Sequence, residues 1–253
     1  CRFCAQSCHY HTGAEEYPFL PVQEIVEEGK RNEAAGVHRY SIVTAGRGLH
    51  GRELDHALEA YRRLGEETGL ALCASHGLQS VEEFQAMREA GGTRYHANLE
   101  TSRRNFPNIC TTHTYEDKLE NIRRAKSAGL EVCSGGILGM GETWEDRIDM
   151  ALDLSELGAV SIPLNLLTPI PGTPLEEAEP LTEGEVFRSV AIFRLLNPTA
   201  WIRMAAGGRR FAGGGRKLFR CGANAAITGD MLTTTGTGIA GDRAMFAQLG
   251  YEI

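Results

Sequence analysis

The chain opens on Cys1-Arg2-Phe3-Cys4-Ala5-Gln6-Ser7-Cys8, three cysteines within eight residues. Two thiolates at C-x-x-C spacing, here Cys1 and Cys4, curl around one metal centre. That spacing alone serves a zinc knuckle, a redox pair or an iron–sulfur site. A redox pair opens a helix after a strand in a small thioredoxin-like unit, which a chain of 253 residues does not resemble. Zinc needs further donors, and His9 and His11 stand near enough in sequence to supply them. Zinc and iron–sulfur chemistry therefore both remain open at this point.

Donors recur further along. Cys73 lies in the apolar run LALCAS and Cys133 at the end of another short apolar run. Taken singly, each reads as a small buried hydrophobe. Several thiols at the ends of separate elements read instead as a shared site. Arg203 interrupts AWIRMA, and a buried guanidinium needs a partner. It points to an anion, a metal cluster or a buried ion pair with an acid such as Glu100. The stretch Cys133-Ser134-Gly135-Gly136-Ile137-Leu138-Gly139-Met140-Gly141-Glu142 suits close approach to a nucleotide or nucleoside, or is a glycine-rich turn. It lacks the lysine of a P-loop.

The elements that must position these groups follow from hydrophobic period and stop signals. Residues 22–35, 53–68, 80–90, 114–128, 143–157, 182–196 and 241–249 carry helical patterns. Ser80 with Glu83 and Thr182 with Glu185 form capping-box patterns. Residues 37–45, 70–75, 94–99, 130–134, 160–167, 200–205 and 223–227 read as strands. Strand and helix alternate with glycine between them, the pattern of βαβ units and a parallel sheet. The expected fold is α/β, a TIM-type (β/α)8 barrel forming a single domain over residues 1–253. Seven strands are counted, and the eighth is expected upstream, because a functional loop at residue one is improbable where termini fray. In such a barrel the strands' C-terminal ends carry the site. The residues there are Cys1, Cys4 and Cys8, then Ser41 and Thr44, Cys73, Asn98 with Glu100, Cys133, Asn165, Arg203, and Asn224 with Thr233 and Thr234. A doubly wound sheet would want G-x-G-x-x-G after an early strand, which is absent.

Composition narrows the function. The net charge of −7 argues against a nucleic-acid partner. No apolar run is long enough for a bilayer span, and no secretory pattern is present. Seven unevenly spaced cysteines fit metal or catalytic thiols in a reducing cytoplasm better than a disulfide framework.

Several stretches in order carry a family resemblance. They are Cys-Arg-Phe-Cys-Ala-Gln-Ser with His11-Thr12-Gly13, Asn98-Leu99-Glu100-Thr101-Ser102, Thr111-Thr112-His113-Thr114-Tyr115, Val132-Cys133-Ser134-Gly135-Gly136-Ile137, Gly172-Thr173-Pro174-Leu175 and Leu232-Thr233-Thr234. Together they resemble the biotin synthase family of radical S-adenosylmethionine enzymes over essentially the whole chain. The resemblance implies a C-x-x-x-C-x-x-C motif holding a [4Fe–4S] cluster, of which Cys1 and Cys4 match the second and third cysteines. The first is expected four residues upstream of Cys1, and Cys8 matches no ligand of the triplet. S-adenosylmethionine is implied on the open iron, with Phe3 against adenine, Glu100 as the ribose acid in place of a more usual Asp, Asn98 beside it, and Gly135, Gly136 and Glu142 along the adenosine. Substrate contacts to dethiobiotin are implied for Asn98, Asn165, Thr233 and Thr234. The implied reaction is hydrogen abstraction by a 5′-deoxyadenosyl radical followed by sulfur insertion. A flavodoxin or ferredoxin as electron donor, a homodimer and a cytoplasmic location are implied as well.

The resemblance further implies an auxiliary cluster that donates the sulfur, [2Fe–2S] in the well-known form, on three cysteines and an arginine. Cys73, Cys133 and Arg203 match three of those positions, and the fourth holds Ser41. Serine binds iron poorly beside thiolate. Ser41 is then a weak ligand, or Cys221 replaces it from the start of the last strand, or the cluster is a variant type. Cys110, on a loop, is expected to be inert. Ser41 also keeps open a related radical enzyme, maturase- or mutase-like, that abstracts hydrogen without inserting sulfur. A structural metal module on Cys1, Cys4, Cys8 and His9 or His11 is the reading from a different class.

Overall fold

The computed structural model describes residues 1–208, 211, 214–229 and 238–252 of the chain. In chain order the elements are α1 (Val22–Ala34), β1 (Arg39–Val43), α2 (Gly51–Glu67), β2 (Ala71–Ser75), α3 (Val81–Glu89), β3 (Gly92–His96), α4 (Phe106–Ile109), α5 (Tyr115–Ser127), β4 (Glu131–Cys133), β5 (Gly136–Leu138), α6 (Trp144–Glu156), β6 (Ser161–Leu166), α7 (Glu183–Leu196), β7 (Trp201–Met204), α8 (Arg216–Arg220), β8 (Ala225–Ala226) and α9 (Ile239–Leu249). Helices α3, α6 and α7 start where polar side chains satisfy their free amides. Ser80 and Glu83, Thr143 and Asp146, and Thr182 and Glu185 each bond reciprocally as capping boxes.

The described chain divides into two compact units. The first comprises Cys1–Ala14, Asn98–Tyr115 and Ser134–Ile253, and the second comprises Glu15–Ala97 and Glu116–Cys133. In the second unit β1, β2, β3 and β4 pair in parallel in that order. Helix α1 packs on α2 so closely that a Cβ on Gly29 would collide with Leu64. A buried polar knot lies among these elements. His76 meets the Thr44 hydroxyl through Nδ1 at 3.0 Å and the Tyr61 hydroxyl through Nε2 at 2.8 Å. Burial pushes its pKa down to about 4, so the ring is neutral at pH 7.

In the first unit β5, β6, β7 and β8 pair in parallel. Strand β5 was hidden in the sequence inside the glycine-rich stretch 133–142, because glycine weakens strand signals. The glycines there serve backbone packing: a Cβ on Gly135 would strike the Pro163 carbonyl, and one on Gly136 would lie 2.6 Å from the Glu100 carbonyl. Strand β3 ends at His96, earlier than the pattern over 94–99 suggests. Asn98 and Glu100 therefore stand beyond the strand's C-terminal end. The short helices α4 and α8 carry no periodic signal. Helix α8 corrects the expectation for Cys221, which caps that helix and does not begin a strand. It lies on the N-terminal side of β8, four residues before the rung where Ala225 pairs with Arg203.

Candidate functional site

In the first unit the opening loop is a run of tight turns. The Cys4 amide donates to the Cys1 carbonyl at 3.3 Å, and the Ser7 amide to the Cys4 carbonyl at 3.2 Å. The loop is tied down where the Arg2 amide donates to the Ile109 carbonyl at 2.9 Å and the Thr12 hydroxyl to the Ala5 carbonyl at 2.5 Å. Cys1 and Cys4 are half-buried, while Cys8 is exposed. Phe3 packs with Ile137 against the buried trio Ile109, Met140 and Leu167, which makes an apolar wall beside the two cysteines.

Asn98 and Glu100 meet the glycine pair. Asn98 Oδ1 accepts from the Gly135 amide at 3.1 Å. The Glu100 amide donates to the Gly135 carbonyl at 3.2 Å, and its carbonyl accepts from Ile137 at 2.9 Å. Glu100 is held at φ 73°, the left-handed region, and is the one non-glycine residue there among those described. Its Oε2 is buried and has no hydrogen-bond partner. A carboxylate oxygen out of water without a donor is costly, so it calls for a ligand that brings donors, such as the hydroxyls of a ribose.

Glu142 has a different environment. Its carboxylate accepts from the Gly139 amide at 2.8 Å and the Met140 amide at 2.7 Å, and pairs with Arg147 at 2.9 Å in a buried setting. Arg147 also stacks on Trp144, 4.5 Å from the ring centroid. Glu142 thus shapes the loop that presents Met140 to Phe3. Asn165 is a clamp as well: its Nδ2 donates to the Gly136 carbonyl at 3.3 Å and its Oδ1 accepts from Ala206 at 3.2 Å. Arg203 donates through Nε to the Ser161 hydroxyl at 2.7 Å. Thr233 and Thr234 lie outside the described residues.

The second unit gathers a separate set of donors. Ser41 and Cys73 are direct partners across β1 and β2, and the Ser41 hydroxyl hydrogen-bonds the Cys73 thiol. Burial pushes that thiol's pKa up, and the neighbouring Cys133 adds to the rise. His96 and Cys133 are direct partners across β3 and β4, with Nδ1 3.4 Å from Sγ. His96 is not among the residues that the sequence singles out. A histidine in YHAN carries no signal until β3 and β4 are set in register. Arg39 and Arg94 add positive charge near Cys73. No three His, Cys, Asp or Glu side chains among the described residues converge on a single ion. A multi-iron cluster spaces its ligands more widely than one ion does. Cys110 is buried; burial opposes its ionisation, but hydrogen bonds from Thr112 and His113 lower its pKa on balance.

The first unit thus carries a two-cysteine turn beside an apolar wall and an orphaned carboxylate oxygen, and the second carries Cys73 in the middle of β2, short of the strand end expected from sequence, and Cys133 at the end of β4. Residues 1–154 match the radical SAM superfamily model, and residues 163–252 match the biotin and thiamin synthesis associated domain. The solved structure of methylornithine synthase shares the fold at TM-score 0.82 and 20% identity, covering 99% of this chain and 77% of that one. The fold class is therefore α/β of the TIM-type radical SAM kind. Biotin synthase of Clostridium beijerinckii is 56% identical over 253 residues, 100% of this chain and 80% of the relative. That of Alkaliphilus metalliredigens is 58% identical with the same coverage. The chain belongs to the biotin synthase family. Like its family, it is an enzyme that uses a [4Fe–4S] cluster, S-adenosylmethionine and an auxiliary iron–sulfur cluster.

Proposed function

We propose that this chain inserts sulfur into dethiobiotin to form biotin, with the first unit holding the radical-generating group and the second unit donors for the auxiliary cluster. When bound, the [4Fe–4S] cluster with S-adenosylmethionine supplies a radical able to abstract hydrogen from unactivated carbon, and the auxiliary cluster supplies sulfur. The chain's own residues do the rest. Cys1 and Cys4 are thiolate donors on a turn pinned to Ile109. Phe3 offers a flat apolar face for adenine, backed by Ile137 and Met140. The free Oε2 of Glu100 accepts from ribose hydroxyls, and Asn98 fixes the Gly135 backbone alongside. Glu142 acts through the loop it closes, and Gly135 and Gly136 through the close strand packing they permit. Asn98, Asn165, Thr233 and Thr234 remain the proposed substrate contacts. Cys73, Cys133 and Arg203 are proposed auxiliary-cluster ligands, with Ser41 beside Cys73.

The observation that carries this reading is the buried, unpartnered Glu100 oxygen next to Asn98 and the glycine pair. A flavodoxin or ferredoxin as electron source, a homodimer and a cytoplasmic location complete the proposal. No helix among the described residues is long and apolar enough to cross a membrane. The test is anaerobic reconstitution of the full-length protein with iron and sulfide, followed by metal counting and turnover with S-adenosylmethionine and dethiobiotin. Two clusters per chain and biotin are expected. A single cluster, with 5′-deoxyadenosine but no biotin, would instead support hydrogen abstraction without sulfur insertion, the alternative that Ser41 favours.

A further inference from the structure

Among the donors of the second unit, Ser41 is the weakest candidate for iron. A serine hydroxyl must lose a proton that water itself holds about as tightly, and oxygen is the harder partner for an iron–sulfur centre. Ser41 already hydrogen-bonds the Cys73 thiol. His96 offers more. It is the last residue of β3, and its partner in the parallel ladder is Cys133, the last residue of β4. Side chains of such partners stand side by side on the same sheet face. His96 Nδ1 lies 3.4 Å from Cys133 Sγ. On a tetrahedral metal with a sulfur at about 2.3 Å and an imidazole nitrogen at about 2.0–2.1 Å, the two donor atoms sit about 3.5 Å apart. The pair is therefore already spaced to bind one iron together. Imidazole is an established partner for iron in clusters, where it replaces thiolate on one of two irons.

We propose that His96 Nδ1 and Cys133 Sγ jointly ligate one iron of the auxiliary cluster, so that His96 supplies the protein donor that Ser41 does not. Ligation uses the lone pair of the neutral ring, whose proton then resides on Nε2, so an Fe–N bond forms with no electron transferred and no proton released. Cys73 on the neighbouring strand serves the rest of the cluster, and the Ser41 hydroxyl remains a hydrogen-bond partner of its sulfur. Exchanging thiolate for neutral imidazole removes one negative charge from the cluster and raises its potential. This inference rests on the sulfur-insertion reading, since it needs an auxiliary cluster.

The experiment uses the full-length holoenzyme, reconstituted anaerobically from protein carrying 15N-histidine. The auxiliary cluster is reduced and examined by pulsed electron paramagnetic resonance. The expected result is a strong nitrogen coupling that shifts with the isotope and is lost in His96→Ala. That variant should keep the iron and sulfide of the first cluster and lose those of the second. His96→Cys restores a ligand, and should recover the second cluster at a lower potential and without the nitrogen signal; it covers the case in which His96→Ala folds poorly. A second cluster with only the weak coupling of an N–H···S hydrogen bond, or one retained in full by His96→Ala, overturns the ligand assignment and leaves sulfur insertion standing. A single cluster per chain in the unsubstituted protein overturns both.

Discussion

Glu100 holds a left-handed backbone at φ 73° and keeps Oε2 buried without a donor. Both features cost folding free energy, the backbone alone about 1–2 kcal/mol. Such costs persist where a ligand repays them. Glu100→Ala is therefore expected to weaken S-adenosylmethionine binding by roughly tenfold to a hundredfold, the worth of about 1.5–3 kcal/mol for a hydrogen bond to a charged group. Glu100→Asp should retain most of it. Equilibrium dialysis of the nucleoside against reconstituted protein reads the difference, and unchanged affinity in Glu100→Ala would remove Glu100 from the site. His76 gives a prediction of another kind. Its pKa is depressed by burial from the unfolded 6.5 to about 4. Above pH 6.5 the ring is neutral in both states and its contribution is complete. Between pH 6.5 and 4 only the unfolded state takes up the proton, so stability falls with pH, by on the order of 3 kcal/mol in total. Urea unfolding at pH 7 and pH 5 should show the loss, and His76→Gln should flatten that slope.

The loop from Gly139 to Glu142 shows how an element is set by one buried charge pair. Glu142 accepts two amides of its own loop and pairs with Arg147 on α6. Arg147→Ala would strand a buried carboxylate, a loss of about 3–5 kcal/mol. The thermal midpoint should fall accordingly, and so should affinity for S-adenosylmethionine, because Met140 backs Phe3. A midpoint within a degree or two of the unsubstituted protein would show that the pair is not holding the loop. The strand pair β3 and β4 performs a similar service in the second unit, since their register alone brings His96 to Cys133.

For the whole molecule, the two compact units are not consecutive stretches of chain. The second is built from Glu15–Ala97 and Glu116–Cys133, and the first from the three stretches around them. Neither can be released by one cut. With residues 1–253 proposed as a single domain, calorimetry should give one cooperative transition with equal calorimetric and van't Hoff enthalpies. Two resolved transitions would show that the units fold separately.

The alternation of helix and strand, the capping boxes at Ser80 and Thr182, and the ordered motifs from Cys1 through Gly135 were all readable from sequence. They are written in local chemistry: period, stop residues and side chains that cap the next turn. The Ser41 departure was readable too, because it is a change of residue type. What only the tertiary structure decided depends on register and burial. Strand β5 emerged from a glycine run once Pro163 and Glu100 were seen against it. Glu142 turned inward to Arg147, and Cys221 fell on a helix end. The Glu100 oxygen proved to be without a partner, and His96 came to stand beside Cys133. Residues far apart in sequence meet only when parallel strands fix their rungs, and no local pattern encodes that pairing.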